Sequence, residues 1–586
     1  ISGSPVEISP YFFITVLKNY KTVSKIKKMS IQTDYQSLET PLVSSSTFSG
    51  RSNNSSSSAA VTTANDVTTG SQERVGSANK LGTYEGVIQP CLLNIFGAIL
   101  FVRLPWAVGQ TGWLGVVLQF ALGGTLVVLT TLSIAAISTN GLVRGGGAYY
   151  MLSRSLGPEF GAAVGVTYYV AASISVAFYL IAFAENMVEC VKAGASTLPF
   201  AFPGGDYGLQ LAIASVTLLL LFAQSQIGAG FVAKANTFIF ILLAISILLA
   251  TVSFFTGGGH DEIYLNSFGY TGMKWETFMS NMWTSGDNRL CICRLYPNDG
   301  YNEGSCNMLQ CTYNSTCASN LAPDQGGVWG PPLPINQYTS NKTWYLPKQY
   351  DCPANEDLAT DIDKASVPTG FFQVFIVIFP AVTGIMAGTN FSGDLADPGK
   401  SIGFGTLVAI GVAMVIYIFL ALVLGASLTK AVMSDQLTAK VVMQNVAYHS
   451  SIVVIGLIAS TISSALGALV GSARVLQALA RDELFPGLSR FAYGSPGADE
   501  PRVALVLSWA IAQACLFIGN LDTVSALISE LFLVVYFSLN IACFSLRVSG
   551  APNFRPAFKS FSWKTALSGA VLSVAVMFIS SPKWAT

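Results

Sequence analysis

Charge is the scarcest property of this 586-residue chain. Only 11% of its residues are Asp, Glu, Lys or Arg, against about 25% in a typical soluble domain. With 52% hydrophobic residues and a mean hydropathy of +0.53, most of the chain is suited to lipid rather than water. The 31 basic and 31 acidic residues cancel, so the one-sided basic field of a nucleic-acid-binding protein is missing. Histidine is nearly absent, with two in all. No nucleophile–base pattern and no metal-ligand cluster stands out, so neither an enzyme nor a cofactor is expected. No secretory leader is expected either: the first apolar run, Tyr11 to Leu17, is short and poorly flanked. Met29 is a candidate natural start, with the preceding residues an extension.

Residues 1–80 are rich in Ser, Thr and Asn and poor in apolar side chains, most plainly from Ser44 to Ala59. Such a segment cannot bury enough apolar surface to fold, and is expected to be a disordered tail. A phosphorylated regulatory tail and a solvated tether are both open readings.

Beyond it, apolar stretches of roughly 20 residues recur, each long enough to cross about 30 Å of hydrocarbon. They fall near 88–110, 112–137, 159–190, 207–227, 233–256, 367–390, 403–430, 450–478, 503–520, 522–546 and 563–582. A transmembrane domain of about eleven spans over 81–586 is therefore expected. Between the fifth and sixth spans lies a long loop, 257–366, holding six of the ten cysteines: Cys291, Cys293, Cys306, Cys311, Cys317 and Cys352. The same loop carries two glycosylation sequons, at Asn314 and Asn341. Disulfides and glycans both suit an oxidising, extracytoplasmic face. Zinc is the competing reading of the cysteines, but their spacing is irregular and no His lies near. Cys91, Cys190, Cys515 and Cys543 sit in or beside apolar spans and read as buried thiols.

Short loops with Arg144 and Arg154, Lys400, Arg481, Arg490 and Arg502, and Arg547, Arg555 and Lys559 share one side. That side is cytoplasmic by the positive-inside rule. The N-terminal tail then lies inside and the sequon loop outside, as glycosylation requires. An integral membrane protein, in the plasma membrane, is the expected setting.

Two spans are interrupted near their middles, the first at Leu93-Asn94-Ile95-Phe96-Gly97-Ala98-Ile99 and the sixth at Pro380-Ala381-Val382-Thr383-Gly384-Ile385-Met386-Ala387-Gly388. An unpaired peptide group in a bilayer costs several kcal/mol. Ions can satisfy such groups: carbonyls take a cation and amides an anion. Five spans separate the two breaks, and five is odd, so the second set of five enters the membrane inverted. The expected fold is an all-α membrane protein of the inverted-repeat (5+5) transporter type, with broken first and sixth helices.

Several motifs then resemble a known family. They are Asn94-Ile95-Phe96-Gly97; Thr139-Asn140-Gly141 with Gly145-Gly146-Gly147-Ala148-Tyr149-Tyr150; Gly384-Ile385-Met386-Ala387-Gly388 followed by Ser392-Gly393-Asp394-Leu395; and Asn553-Phe554-Arg555-Pro556. From about Leu81 onward the chain resembles the cation–chloride cotransporters. The resemblance implies electroneutral symport of chloride with potassium, sodium or both. It places potassium at Asn94, Ile95, Tyr179, Pro380 and Thr383. One chloride falls at Gly97, Ala98 and Ile99, where the family often has Val in place of Ala98. A second falls at Gly384, Ile385, Met386 and Tyr536. For sodium it implies Ser463 and Ser464, with carbonyls near Leu93, Phe96 and Ser460. Here Phe96 stands where sodium-coupled members usually carry tryptophan, and sodium dependence stays open. Arg103 and Glu185 match an outer gate pair, for which a constitutive anchor is the alternative.

The family normally adds a twelfth span and a large soluble C-terminal domain. That domain is expected to be absent from this chain, which stops at Thr586. No Arg-Phe-x-Val kinase-docking tetrapeptide occurs, Arg490-Phe491-Ala492-Tyr493 being a near miss. The long Cys-rich loop leans to potassium–chloride members, while Ser472-Ala473-Arg474-Val475-Leu476 and Ser549-Gly550-Ala551-Pro552-Asn553-Phe554 lean to orphan members. Inorganic ions and lipid are the expected partners, with a homodimer and kinases acting on the N-terminal tail as further expectations. Two rival readings remain: an amino-acid or polyamine carrier of the same superfamily, and a non-transporting regulator of true cotransporters. Against the carrier, neither break holds an Asp or Glu.

Overall fold

The computed structural model describes residues 81–140, 157–194, 205–226, 229–259, 270–283, 370–390, 392–434, 442–485, 487–495, 499–550 and 554–580, with Tyr149, Ser153 and the pairs 294–295 and 344–345. The expected tail (1–80), the six loop cysteines and both sequon asparagines lie outside the described residues. Among the described residues the fold is helical, apart from two antiparallel two-residue strands, Arg294–Leu295 and Trp344–Tyr345. The thiols of Cys91, Cys515 and Cys543 are free.

Eleven helices account for the apolar runs: α1 (Tyr84–Val102), α2 (Leu104–Ser138), α3 (Pro158–Gly194), α4 (Gly205–Ser225), α5 (Ala229–Thr256), α6 (Phe371–Asn390), α7 (Pro398–Ser427), α8 (Ser450–Arg481), α9 (Arg502–Leu516), α10 (Leu521–Val548) and α11 (Trp563–Ser580). Ten are long and apolar enough to cross a membrane, and α9 is apolar but has 15 residues. A helix closes its own backbone hydrogen bonds, the condition for crossing hydrocarbon. The chain is an integral membrane protein. Large apolar side chains exposed on α4 and α5, among them Leu219, Leu220, Phe238 and Leu248, form the surface that lipid would cover.

Within α2, Gly112 has a φ of 77° and a ψ of 163°, which break Leu104–Ser138 into a short and a long piece. A Cβ there would stand 2.5 Å from the Met282 carbonyl oxygen. The division matches the expected gap between residues 110 and 112.

Packing repeats with a period of five helices. The α1–α5 contact has its counterpart in α6–α10, α1–α7 in α6–α2, α5–α8 in α10–α3, and α3–α4 in α8–α9. The two helices that map onto each other by this shift, α3 and α8, pack together at the centre, and α2 lies along α7. Because five helices are an odd number, the second set runs opposite to the first. This is the inverted repeat expected from the two breaks. α11 stands outside the repeat, against α10 and α2. The broken helices α1 and α6, with α3, are the most enclosed of the set.

Candidate functional site

The α1 break is short. Helical geometry holds through Gln89–Ile95 and resumes at Ala98, with Phe96 (φ −74°, ψ 0°) and Gly97 (φ −36°, ψ −137°) between. Asn94 therefore lies in the last helical turn before the break rather than inside it. The α6 break is longer. Its α-helix ends at Ile378, 3-10 turns cover Phe379–Ala381 and Thr383–Met386, and α geometry returns at Ala387. Pro380 contributes by lacking an N–H to continue the ladder.

Three consecutive carbonyls before the α1 break lose their helical partners, and each receives a hydroxyl from a different helix. Ser464 of α8 donates to the Leu93 carbonyl at 2.9 Å. Tyr179 of α3 donates to that of Asn94 at 3.2 Å, and Tyr417 of α7 to that of Ile95 at 2.7 Å. α6 is treated alike. Tyr536 of α10 donates to the Thr383 carbonyl at 2.9 Å, and the Thr383 hydroxyl turns back to Pro380 at 3.0 Å. Ser529 and Ser525, also on α10, reach the Ile376 and Val377 carbonyls, each at 2.7 Å. In this structure protein hydroxyls satisfy these freed carbonyls. Each hydroxyl keeps its own lone pairs, so carbonyl and phenol oxygens cluster where a cation could collect both.

The breaks touch. A Cβ on Gly384 would stand 2.9 Å from Asn94 Cβ and 2.9 Å from the Ile95 amide nitrogen, and one on Gly97 would stand 2.7 Å from Tyr179 Cε1. The five potassium candidates, Asn94, Ile95, Tyr179, Pro380 and Thr383, thus form one cluster. Of the chloride candidates, Ala98 and Ile99 open the helix that follows the α1 break, with Gly97 as its cap. Gly384, Ile385 and Met386 occupy the 3-10 turn that Tyr536 reaches through Thr383. All seven are buried. Phe96, in place of tryptophan, packs its ring on Tyr417 at 5.9 Å between centroids, and Tyr417 stacks on Phe120 at 4.6 Å.

The sodium candidates divide. Ser464 meets Leu93, as described, but Ser463 donates to Asn236 Oδ1 of α5 at 2.9 Å and Ser460 to the Leu457 carbonyl at 3.0 Å. The gate pair is present in altered form. Arg103 Nη2 lies 3.8 Å from Glu185 Oε2, while Arg103 Nε lies 2.8 Å from Asp522 Oδ1 at the start of α10. At the opposite end Asp482 accepts from Tyr149 and, at 2.9 Å, from Ser153. Arg474 Nη1 pairs with Asp394 Oδ2 at 2.8 Å and donates to the Asn390 carbonyl at 3.2 Å. Both ends are bridged, with the breaks enclosed between them.

Tyr417, Asn236, Asp522, Ser525 and Ser529 escaped the sequence reading. Only Asp522 carried a signal, as an acid at the first turn of an apolar helix. The hydroxyl residues look like any others in apolar spans.

The amino acid permease family matches this chain over residues 86–292 and 345–582. An uncharacterized transporter of Schizosaccharomyces pombe is 31% identical over 513 residues, covering 87% of this chain and 41% of that protein. Solute carrier family 12 member 9 of Rattus norvegicus is 31% identical over 511 residues, covering 87% of this chain and 49% of its own length. Solute carrier family 12 member 1 of Oryctolagus cuniculus is 32% identical over 543 residues, covering 87% and 41%. The chain spans about half the length, or less, of these curated relatives.

Proposed function

The chain belongs to the amino acid permease family, and from that premise we propose that it moves potassium and chloride together across a membrane by alternating access. Its similarity to solute carrier family 12 proteins supports this reading within a family of permeases rather than enzymes. One observation carries it: two broken helices in contact, with freed carbonyls and hydroxyls gathered at the break. Potassium takes neutral oxygens in place of its water shell. The carbonyls of Asn94, Ile95 and Pro380 and the hydroxyls of Tyr179 and Thr383 can supply them, exchanging mutual hydrogen bonds for contacts to the ion. Chloride needs donors. Amides at Gly97, Ala98 and Ile99, and at Gly384, Ile385 and Met386 with the Tyr536 hydroxyl, fill that role.

Neither break carries an acidic or basic side chain. Burying a lone ion there would be very costly, which favours both ions together and hence coupling. A neutral pair also crosses without work against the membrane potential, about 2.3 kcal/mol per charge per 100 mV. Arg103 with Asp522 and Glu185 forms the outer gate, and Asp482 with Tyr149 and Ser153, beside Arg474–Asp394, the inner one. The same reading places the protein in the plasma membrane, with its N-terminal tail cytoplasmic and open to kinases, and allows a homodimer. Neither break offers an Asp or Glu to hold the ammonium group of an amino acid or polyamine. A second reading adds sodium, and the Ser464 hydroxyl on the Leu93 carbonyl favours it.

Chloride-dependent rubidium uptake, with and without sodium, tests this in cells that display the chain on their surface. Uptake lost in Tyr179→Ala and indifferent to sodium supports potassium–chloride symport, and loss on sodium removal supports the second reading. No chloride-dependent uptake from correctly displayed protein would favour a non-transporting regulator.

A further inference from the structure

One acidic side chain in the spans has no part in the site above. Glu530 stands on α10, nine residues after its first residue, Leu521. At 1.5 Å per residue that is about 14 Å into the helix, close to half of a hydrocarbon core about 30 Å thick. The residue is 4% exposed, and neither carboxylate oxygen has a hydrogen-bond partner. Its neighbours on the helix are apolar or hydroxylic: Leu527, Ile528, Ser529, Leu531, Phe532 and Leu533.

Among the described residues, no cation of the elements packed against α10 pairs with it. α2 and α6 contain no titratable residue. α11 has Lys564, at its first turn. α3 has Tyr168, Tyr169, Tyr179 and Glu185, with Glu159, Glu189, Cys190 and Lys192 toward its ends. α10 itself adds Asp522, Tyr536, Cys543 and Arg547. Several of these are engaged elsewhere: Tyr168 on Asn390, Tyr179 on Asn94, Tyr536 on Thr383, and Asp522 and Glu185 on Arg103. None of the described ones pairs with Glu530.

An isolated ionised carboxylate in such a place costs tens of kcal/mol by ion solvation, and in practice such a group neutralises. A metal cation would need several more oxygens than one carboxylate provides. A proton needs none. We infer that Glu530 is a proton-binding site, occupied while α10 is packed as seen here and vacated when α10 moves and water reaches the carboxyl.

The position gives that proton leverage. α10 holds α6 through Ser525, Ser529 and Tyr536, and holds the Arg103 end of α1 through Asp522. A helix that clamps both broken helices is one whose packing must change for the ends to open. Linkage then fixes the sign: a state that binds one more proton is favoured as pH falls and disfavoured as it rises. Closure takes up a proton, and its equilibrium constant falls up to about tenfold per pH unit for a single site.

The test compares wild type with Glu530→Gln, which keeps the shape and is neutral at every pH. Infrared titration of the purified full chain reads the carbonyl stretch of protonated carboxyl groups. The expected result is a protonated-carboxyl band at neutral pH, in a water-free environment, that is absent from E530Q. Identical spectra for the two proteins, each monodisperse and equally stable, would overturn the assignment. Rubidium uptake should fall with rising pH in the wild type and flatten in E530Q, and an unchanged profile in E530Q would overturn the coupling to closure. The infrared comparison needs no flux, so its failure is distinct from failure of the transport reading.

Discussion

Tyr417 donates its phenolic proton to the Ile95 carbonyl at 2.7 Å, tying the middle of α7 to the last turn before the α1 break. Both residues are fully enclosed, so Tyr417→Phe would strand a buried carbonyl. An unmet buried acceptor costs about 1–3 kcal/mol. Thermal unfolding in detergent should show Tyr417→Phe to be destabilised by that amount, with Tyr417→Leu worse because the stack on Phe120 goes too. Wild-type stability in Tyr417→Phe would mean the carbonyl is satisfied in another way.

Gly384 and Gly97 should differ in tolerance. A methyl on Gly384 meets the main chain of Ile95, whereas one on Gly97 meets a tyrosine ring that can swing. Overpacking a tight interior costs about 1–3 kcal/mol. Gly384→Ala should abolish uptake while leaving some folded protein, and Gly97→Ala should retain a measurable fraction. Equal activity in the two variants would contradict the close approach of the breaks.

For Arg103, the nearer acid should matter more. Asp522 is within hydrogen-bond distance and Glu185 is not. Removing the partner of a buried charge costs about 3–5 kcal/mol. Asp522 keeps some access to water, so about 1–3 kcal/mol is expected for Asp522→Asn. Glu185→Gln should cost less. Thermal stability of the two variants side by side settles the order, and a larger loss in Glu185→Gln would reverse the assignment.

Ser464 and Ser463 separate the two cation readings. Ser464 touches the carbonyl of Leu93 and Ser463 the amide oxygen of Asn236. Ser464→Ala should lower rubidium uptake several-fold, and Ser463→Ala should lower it less. If sodium is a second cargo, the sodium concentration for half-maximal uptake rises in Ser464→Ala, and an unmoved value excludes Ser464 as a ligand.

The spans and their two breaks were legible in the sequence because they rest on local properties. Long apolar runs read as helices, and Gly97, Pro380 and Gly384 within them read as interruptions. The gap at Gly112 was legible for the same reason. The hydroxyl network was not. Tyr417 lies 322 positions from Ile95, and Ser525 lies 148 from Val377. A Ser or Tyr in an apolar span carries no mark of which carbonyl it will meet. Asn94 showed the limit of reading a break from composition, since helical geometry passes through it and fails at Phe96 and Gly97. Glu530 went unread in the sequence, and only the enclosed, unpartnered carboxylate gives it meaning.

The most direct test of the cargo is coupling itself. Purified chain in proteoliposomes, with membrane voltage clamped at zero and no rubidium gradient, would be given an inward chloride gradient. The account predicts that rubidium accumulates inside against its own concentration, and that Tyr179→Ala and Gly384→Ala abolish the accumulation. Rubidium that stays at equilibrium while chloride runs down its gradient would contradict it.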